Sequence, residues 1–423
     1  MQTAPAQQLV DHLFRHESGK MVAVLARIFG MHNLEMAEDV VQEAFLKAMQ
    51  AWKFGLPPNP AAWLMQTARN KAIDIVRREG YARRYSAELA EQLTAETENT
   101  VVQFFSEHEI SDSQLRLVFA CCHPSLKQED QVALTLKTVS GFGVAEIARA
   151  LLTNEAAIQK RLYRAKQQIK ETNINFEIPE GPALHQRLET VYTVLYLLFN
   201  EGYNSINAEE LIRKDLCMEA MRLCKLLSEN KAGAKPSTYA LLALMCLQAS
   251  RFDSRVDENN SIILLPQQNR SKWDQQLIQL GYCYLNQSST GEHLSVYHVE
   301  SAIAAEHCLA ASFGQTNWQH LLQLYNILLG IKPTPVIMLN RAVVLGSCGQ
   351  TKQALKEIMA IPGIDVLVQT QYIYSAVLAD LYLTLRDYPN AQKMLAQSIA
   401  LTTSGAEKKL LGERLALASQ QSA

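Results

Sequence analysis

Apolar side chains return at near-helical spacing along most of the chain. Leu9, Leu13, Val22, Leu25, Ile28 and Phe29 predict one helix over about 7–30, ended by Gly30. Asn33 is placed to cap a second helix, in which Met36, Val40, Ala44 and Ala48 share a face and which runs through Trp52. The Pro57-Pro58 pair makes 55–60 a loop, and Pro60 suits the first turn of a third helix carrying Trp63, Leu64, Ala68, Ala72, Ile73 and Val76. Residues 86–111 have weak periodicity and read as an acidic linker. Helices resume near Ser113–Cys122 and Glu129–Ser140. A short helix over Val144–Leu151, a turn at Thr153-Asn154 and a long helix from Glu155 follow, with Asn154 as cap and Glu155 beside the positive helix end. Residues 173–182 read as a second linker.

From 183 to 423 the pattern is helical and contains a repeat. Ala342 and Ala354 are 12 apart, as are Ala379 and Ala391, and the pairs are offset by 37. Small residues there let two antiparallel helices approach, so Leu339–Ile361 and Ala376–Leu401 read as consecutive helical hairpins.

Composition agrees with this all-α reading. Gly and Pro make up 31 of 423 residues, about 7% against roughly 12% in average usage, too few turn residues for a sandwich, barrel or propeller. The chain length allows two to four domains. With 48% hydrophobic residues and a net charge of −2, it is neither a disordered polyampholyte nor a uniformly basic binder. No apolar run reaches membrane-spanning length, and the N-terminus has neither the basic nor the apolar part of a secretory signal. Eight cysteines without a CxxC pair fit a reducing cytoplasm.

The near-neutral total hides local order. Residues 69–84 carry +4 and residues 149–170 carry +5, while 85–115 between them carry −7. Trp52, Phe54, Trp63, Tyr81 and Tyr85 interleave with the first basic stretch, a composition suited to stacking unpaired bases, although tryptophans on helices are usually part of a core. The second stretch fits a helix–turn–helix. Ala148 would be the crossing residue, Ile147, Ile158 and Leu162 the internal contacts, and Gln159, Lys160, Arg161, Tyr163, Arg164 and Lys166 the exposed set.

Other constellations carry less. Cys121 and Cys122 point about 100° apart on one helix, so they read as buried thiols and not as a chelating pair. The remaining cysteines read as core, and His293, His298, His307 and His320 show no ligand-like grouping with carboxylates. No P-loop, dinucleotide fingerprint, nucleophile elbow or HExxH occurs, so no catalytic residue, cofactor or metal site is expected.

Ala37-Glu-Asp-Val-Val-Gln-Glu-Ala-Phe-Leu-Lys-Ala48, followed by Pro60-Ala-Ala-Trp-Leu-Met-Gln-Thr-Ala-Arg-Asn-Lys-Ala-Ile-Asp-Ile-Val-Arg-Arg78, resembles region 2 of bacterial RNA polymerase sigma factors of the extracytoplasmic-function (ECF) type. Residues 141–170 resemble region 4 of the same family. Phe119-Ala-Cys-Cys-His-Pro-Ser-Leu126 and Leu195-Tyr-Leu-Leu-Phe-Asn-Glu-Gly-Tyr203 resemble an ECF subgroup with a tetratricopeptide-like C-terminal extension. The resemblance implies five segments: region 2 at 1–85, the acidic linker at 86–111, region 4 at 112–172, a linker at 173–182 and the extension at 183–423.

The resemblance also implies roles. Asp39, Gln42, Glu43 and Phe45 would dock on the clamp helices of the polymerase β′ subunit, with the β flap as a further contact. Trp63, Arg69, Asn70, Asp74, Arg77 and Arg78 would melt and read the minus-ten element, with Asn70 suited to a flipped base. Gln159, Lys160, Arg161, Arg164 and Lys166 would read the minus-thirty-five element, and the acidic linker would follow the RNA-exit path. Leu152 stands where the helix–turn–helix turn usually has Gly, and Pro57-Pro58 makes the loop before Trp63 unusual.

The expectation is therefore a cytoplasmic sigma factor that binds core polymerase and promoter DNA and has no membrane partner. Its extension would form a groove for a peptide, a small regulatory protein or the sigma domains themselves. Free, it should bind promoter duplex poorly, because +4 and +5 neutralise few phosphates. The alternatives are a helix–turn–helix regulator with a tetratricopeptide-like sensor that does not replace the housekeeping sigma factor, and an adaptor built around the helical array.

Overall fold

The computed structural model describes residues 3–82, 99–151, 153–203, 212–258, 261–291 and 293–422. These form α-helices, short 3₁₀ turns and a π-helical turn, with one isolated antiparallel bridge between Val256 and Ile262. The chain divides into two compact units, 1–198 and 199–423.

In the first unit, α1 (Thr3–Phe29) is the central post. It packs on α2 (Leu34–Ala51), α3 (Pro60–Ala82), α5 (Glu107–Cys121) and a π-helical turn, Thr135–Val139, that continues α6 (Gln128–Leu134). Met21, Ala23, Val24, Leu25 and Ala26 are fully buried along it. Asn33 precedes α2 as expected, but its amide donates back to the Phe29 carbonyl and does not cap α2. A helical segment over 99–104 (α4) and the first turn of α5 occupy the end of the stretch read as linker. The helix expected from Ser113 thus starts at Glu107. Its opening residues, Glu107 and Glu109, give no apolar period, yet negative charge is favourable beside a helix N-terminus. Residues 86–98 of the linker, with Arg83, Arg84, Tyr85 and Leu152, lie outside the described residues.

The helix–turn–helix consists of α7 (Val144–Ala150) and α8 (Glu155–Thr172). Asn154 accepts from the Ala157 N–H at 2.8 Å, the expected cap. Ala148, Ile147, Ile158 and Leu162 are all buried where the two helices meet. α9 (Gly181–Tyr203) begins in the first unit, where the Arg187 guanidinium donates to the Phe119 carbonyl at 2.8 Å. The division at 198/199 therefore falls inside a helix, beyond the linker read at 173–182.

In the second unit, α10 (Lys214–Ser228), α11 (Pro236–Ala249), α12 (Phe252–Arg255), α13 (Gln275–Ser288), α14 (Val296–Leu309) and α15 (Trp318–Ile331) lead into the repeat. The hairpins are α16 (Pro335–Ser347) with α17 (Thr351–Met359), and α19 (Tyr372–Thr384) with α20 (Tyr388–Leu401). Ala342, Ala354, Ala379 and Ala391 are each fully buried, as close helix packing requires. Between the hairpins lies α18 (Ile364–Thr370), and α21 (Gly405–Ser422) closes the chain's helical part.

Candidate nucleic-acid interface

The side of α3 opposite its buried residues Leu64, Ala68 and Ala72 carries a polar stripe. At about 100° per residue, Trp63, Gln66, Asn70, Asp74, Arg77 and Arg78 fall on one side, whereas Arg69 points roughly 120° away. Asn70, Asp74, Arg77 and Arg78 are exposed. Gln66 donates to the Asn70 side-chain oxygen at 2.8 Å and accepts from Arg69, so a third side chain joins the pair picked out in the sequence. Trp63 is half-buried, edge-on to the buried Trp52 with ring centres 5.6 Å apart. Trp52 is therefore core, and Trp63 is the ring that reaches the stripe.

On α2, Asp39 and Gln42 are exposed, and Leu46 and Met49 continue their line at helical spacing, Leu46 being 58% exposed. Exposed apolar side chains in an acidic stripe suit a protein partner. The sequence reading missed these two, because an apolar residue at helical spacing looks like core. Phe45 is instead buried, edge-on to Phe14 at 4.9 Å, so it supports the helix from behind and does not face a partner. Glu43 lies between Lys71 and Lys47, whose hydrogen bonds hold its carboxyl below the usual range.

On α8, Gln159, Lys160 and Tyr163 are exposed, Tyr163 by 64%. The other cations are already engaged. Arg161 and Arg164 both meet Glu129, and Arg164 also donates to the buried Asp130 at 2.6 Å, bracing α8 against α6. That contact first, and Glu129 second, raises the Arg164 pKa; Arg164 in turn lowers that of Glu129. Lys166 lies on the same side of α8 as Gln159, but α2 shields it: its ammonium lies 2.6 Å from Glu38.

Lys166 is one of several ties within this unit between the 1–82 helices and the helix–turn–helix segment. Lys170 reaches Glu35 at 2.8 Å and lowers its pKa. Arg15 pairs with Glu146 while stacking on Phe142 at 3.7 Å, and Glu146 also accepts from the Gly143 N–H at the start of α7. Gly19 of α1 faces the Val139 carbonyl so closely that a Cβ there would lie 1.8 Å from the oxygen. Gly141 has φ +67°, and a Cβ on it would lie 2.4 Å from the Ser18 hydroxyl. Arg27 meets Glu109 at 2.6 Å and covers the Phe104 ring at 4.1 Å. The end of the acidic stretch is thus docked on α1.

The thiols of Cys121 and Cys122 sit beside Thr138 and Thr135, and burial pushes the Cys122 pKa up to about 12. One reading needs correction: Cys283 is exposed and not core, with Cys308 and Cys348 only partly buried. His320 pairs with one carboxylate, Glu306, at 2.8 Å, which is not a ligand group. Among the described residues, no group of three His, Cys, Asp or Glu side chains could hold a metal ion, and no helix is long and apolar enough to cross a membrane.

Comparison with known proteins places these faces in a wider set. Residues 13–87 match the family described as Sigma-70 region 2, and 116–169 match Sigma-70, region 4. Residues 187–289 match a family of unknown function (DUF6596). An uncharacterized protein of Rhizobium meliloti is 35% identical over 390 residues, covering 91% of this chain and 90% of that protein. The ECF RNA polymerase sigma factor SigE of Mycolicibacterium smegmatis is 26% identical over 162 residues, 38% of this chain and 60% of SigE. No solved structure matches the chain.

Proposed function

Because this chain belongs to the ECF type of the sigma-70 family and carries a C-terminal extension, we propose that it directs core RNA polymerase to a subset of promoters through the faces described above. The α2 stripe of Asp39, Gln42, Leu46 and Met49 docks on the β′ clamp helices, backed by Phe45 and flanked by Glu43. Region 4 engages the β flap. The α3 stripe melts and reads the minus-ten element, with Trp63 stacking at the edge of the opened duplex. Asn70 and Gln66 offer both donors and acceptors to a flipped base. Arg77 and Arg78 hold the phosphates. Gln159, Lys160 and Tyr163, near the start of α8, meet the minus-thirty-five bases in the major groove. Arg161 and Arg164 reach phosphate by exchanging partners with Glu129. The protein works in the cytoplasm, where polymerase and DNA are.

One observation carries the mechanism: the 2.6 Å contact between Lys166 and Glu38. Elements named minus ten and minus thirty-five lie about 25 base pairs apart, roughly 85 Å of B-DNA. Two domains joined by side-chain contacts cannot read both. The free chain is thus closed, and polymerase opens it by holding the two regions on separate sites. Glu35 lies within about 40° of Asp39 around α2, so Lys170 covers the margin of the docking stripe in the closed form. Polymerase docking and release of α8 are then competing occupations of one helix.

The test is run-off transcription with core polymerase on a promoter template. Full-length protein should support specific transcripts from core enzyme alone. Transcription that needs a housekeeping sigma factor as well would overturn the reading in favour of an ordinary helix–turn–helix regulator. We assign the extension a regulatory role, with its tetratricopeptide-like hairpins offering a groove to a peptide, a small protein or the sigma domains.

A further inference from the structure

Within the second unit lies a cavity of about 690 Å³, inside the range that holds small organic ligands. One wall is the loop around the Val256–Ile262 bridge, with Ile262 and Leu264; the other is made by α19 and α21, with Val377 and Leu410. Most of the lining is apolar, but three arginines reach it: Arg251, Arg255 and Arg414.

The three are not equivalent. Arg414 pairs with Asp380 across the cavity wall, and Glu407 accepts from the Tyr372 and Thr402 hydroxyls. Those carboxylates are already engaged. Arg255 covers the Tyr203 ring at 3.8 Å and donates to the Tyr203 carbonyl. Arg251 donates Nε and Nη2 to the Gln268 side-chain oxygen at 3.3 and 3.1 Å and stacks on Trp273 at 5.2 Å. Among the described residues, no carboxylate meets Arg251. Arg251 and Arg255 stand one helical turn apart, and their mutual repulsion adds to burial in lowering the Arg255 pKa.

We propose that this cavity binds a small amphipathic monocarboxylate, its head on the Arg251 fork beside Arg255 and its apolar body between the Ile262–Leu264 wall and α19–α21. A guanidinium presents paired N–H donors that match a carboxylate in a fork, and Arg251, which meets no carboxylate among the described residues, would exchange the Gln268 oxygen for one. An apolar body is required because the walls offer few polar partners. The two walls lie more than 100 residues apart in the chain, and besides the cavity lining they share a contact from Lys409 to the Ser261 hydroxyl at 3.0 Å. A bound ligand would therefore clamp the early part of the extension to its last helices. The inference does not depend on the transcriptional reading, since it concerns binding alone.

Thermal unfolding and titration calorimetry of the full chain test it. The probes are octanoate and phenylpropionate, with 1-octanol and inorganic phosphate as controls. Octanoate or phenylpropionate should raise the melting temperature and saturate, as selective binding to the folded state requires, and both controls should shift it far less. Arg251→Gln keeps a hydrogen-bonding side chain but removes the charge, and should weaken binding about tenfold. Leu410→Trp fills the cavity from its α21 wall and should abolish binding while leaving the helical circular dichroism intact. Equal shifts with octanoate and octanol, a phosphate shift as large as either carboxylate's, or unchanged affinity in Arg251→Gln would overturn the proposal. No response to either carboxylate would do the same.

Discussion

Gly19 shows how one missing Cβ can hold two domains together. In the middle of α1 a glycine costs roughly 1 kcal/mol relative to alanine, so helix propensity argues against it. What it permits is contact with the Val139 carbonyl, where a Cβ would lie 1.8 Å from the oxygen. Gly19→Ala should therefore leave α1 helical but wedge it away from the π-helical turn. The expected outcome is a more extended particle by small-angle scattering and tighter promoter binding by the free protein. An unchanged scattering radius would show that the turn simply yields. His307 offers a second residue-scale test. Burial first, then Arg251 and Arg270, depress its pKa to about 4, while its ring lies edge-on to Trp318 at 5.8 Å. Between pH 6.5 and 4 the unfolded chain binds a proton that the folded chain refuses. Its contribution is thus complete above pH 6.5 and is lost as pH falls toward 4, on the order of 3 kcal/mol in all. Denaturant unfolding followed by tryptophan emission should show that acid-side decline, and His307→Gln should flatten it.

At the scale of elements, α8 has two halves with different partners. Its first half presents Gln159, Lys160 and Tyr163 outward, and its second half ties Lys166 and Lys170 to α2. The helix, its Asn154 cap and its buried face were legible in the sequence because each is a local pattern. The destination of Lys166 was not, since 128 residues separate it from Glu38 and a basic residue on a DNA-reading helix looks like a phosphate contact. Phe45 was misplaced for a related reason: proximity along α2 to Asp39 and Gln42 says nothing about which side of the helix it occupies. The start of α5 was missed because its opening acidic turn carries no apolar period. The contribution of Lys166 can be isolated by a charge-swap cycle. Both members of the pair are largely shielded from solvent, so Lys166→Glu should set two carboxylates against each other and loosen the closed form. Free-protein promoter affinity should rise in Lys166→Glu, despite the loss of a cation, and fall back when Glu38→Lys is added. A plain loss of affinity in the single variant, not restored in the double, would mean that Lys166 serves DNA directly.

For the whole molecule, the extension is more than half of the chain, and its only covalent route to the DNA-reading helices is α9. In that helix Arg187 is bonded to the Phe119 carbonyl, and Leu188, Val191, Tyr192 and Leu195 are buried. A cut in the Asn173–Pro182 stretch, which the sequence alone suggests, would strip these residues from the first unit and confuse loss of folding with loss of regulation. A cut after Leu198 keeps them. The truncated chain should still bind core polymerase, because the α2 and α3 stripes and the helix–turn–helix are complete. If the extension regulates, run-off output from the truncated chain should differ from full length by at least about fivefold, the lower end of ordinary coupling between sites. A gain in output identifies the extension as inhibitory, and a loss with polymerase binding intact identifies it as required for promoter opening. Equal output and equal polymerase binding would remove the regulatory role and leave the helical array as a separate binding module on the same chain.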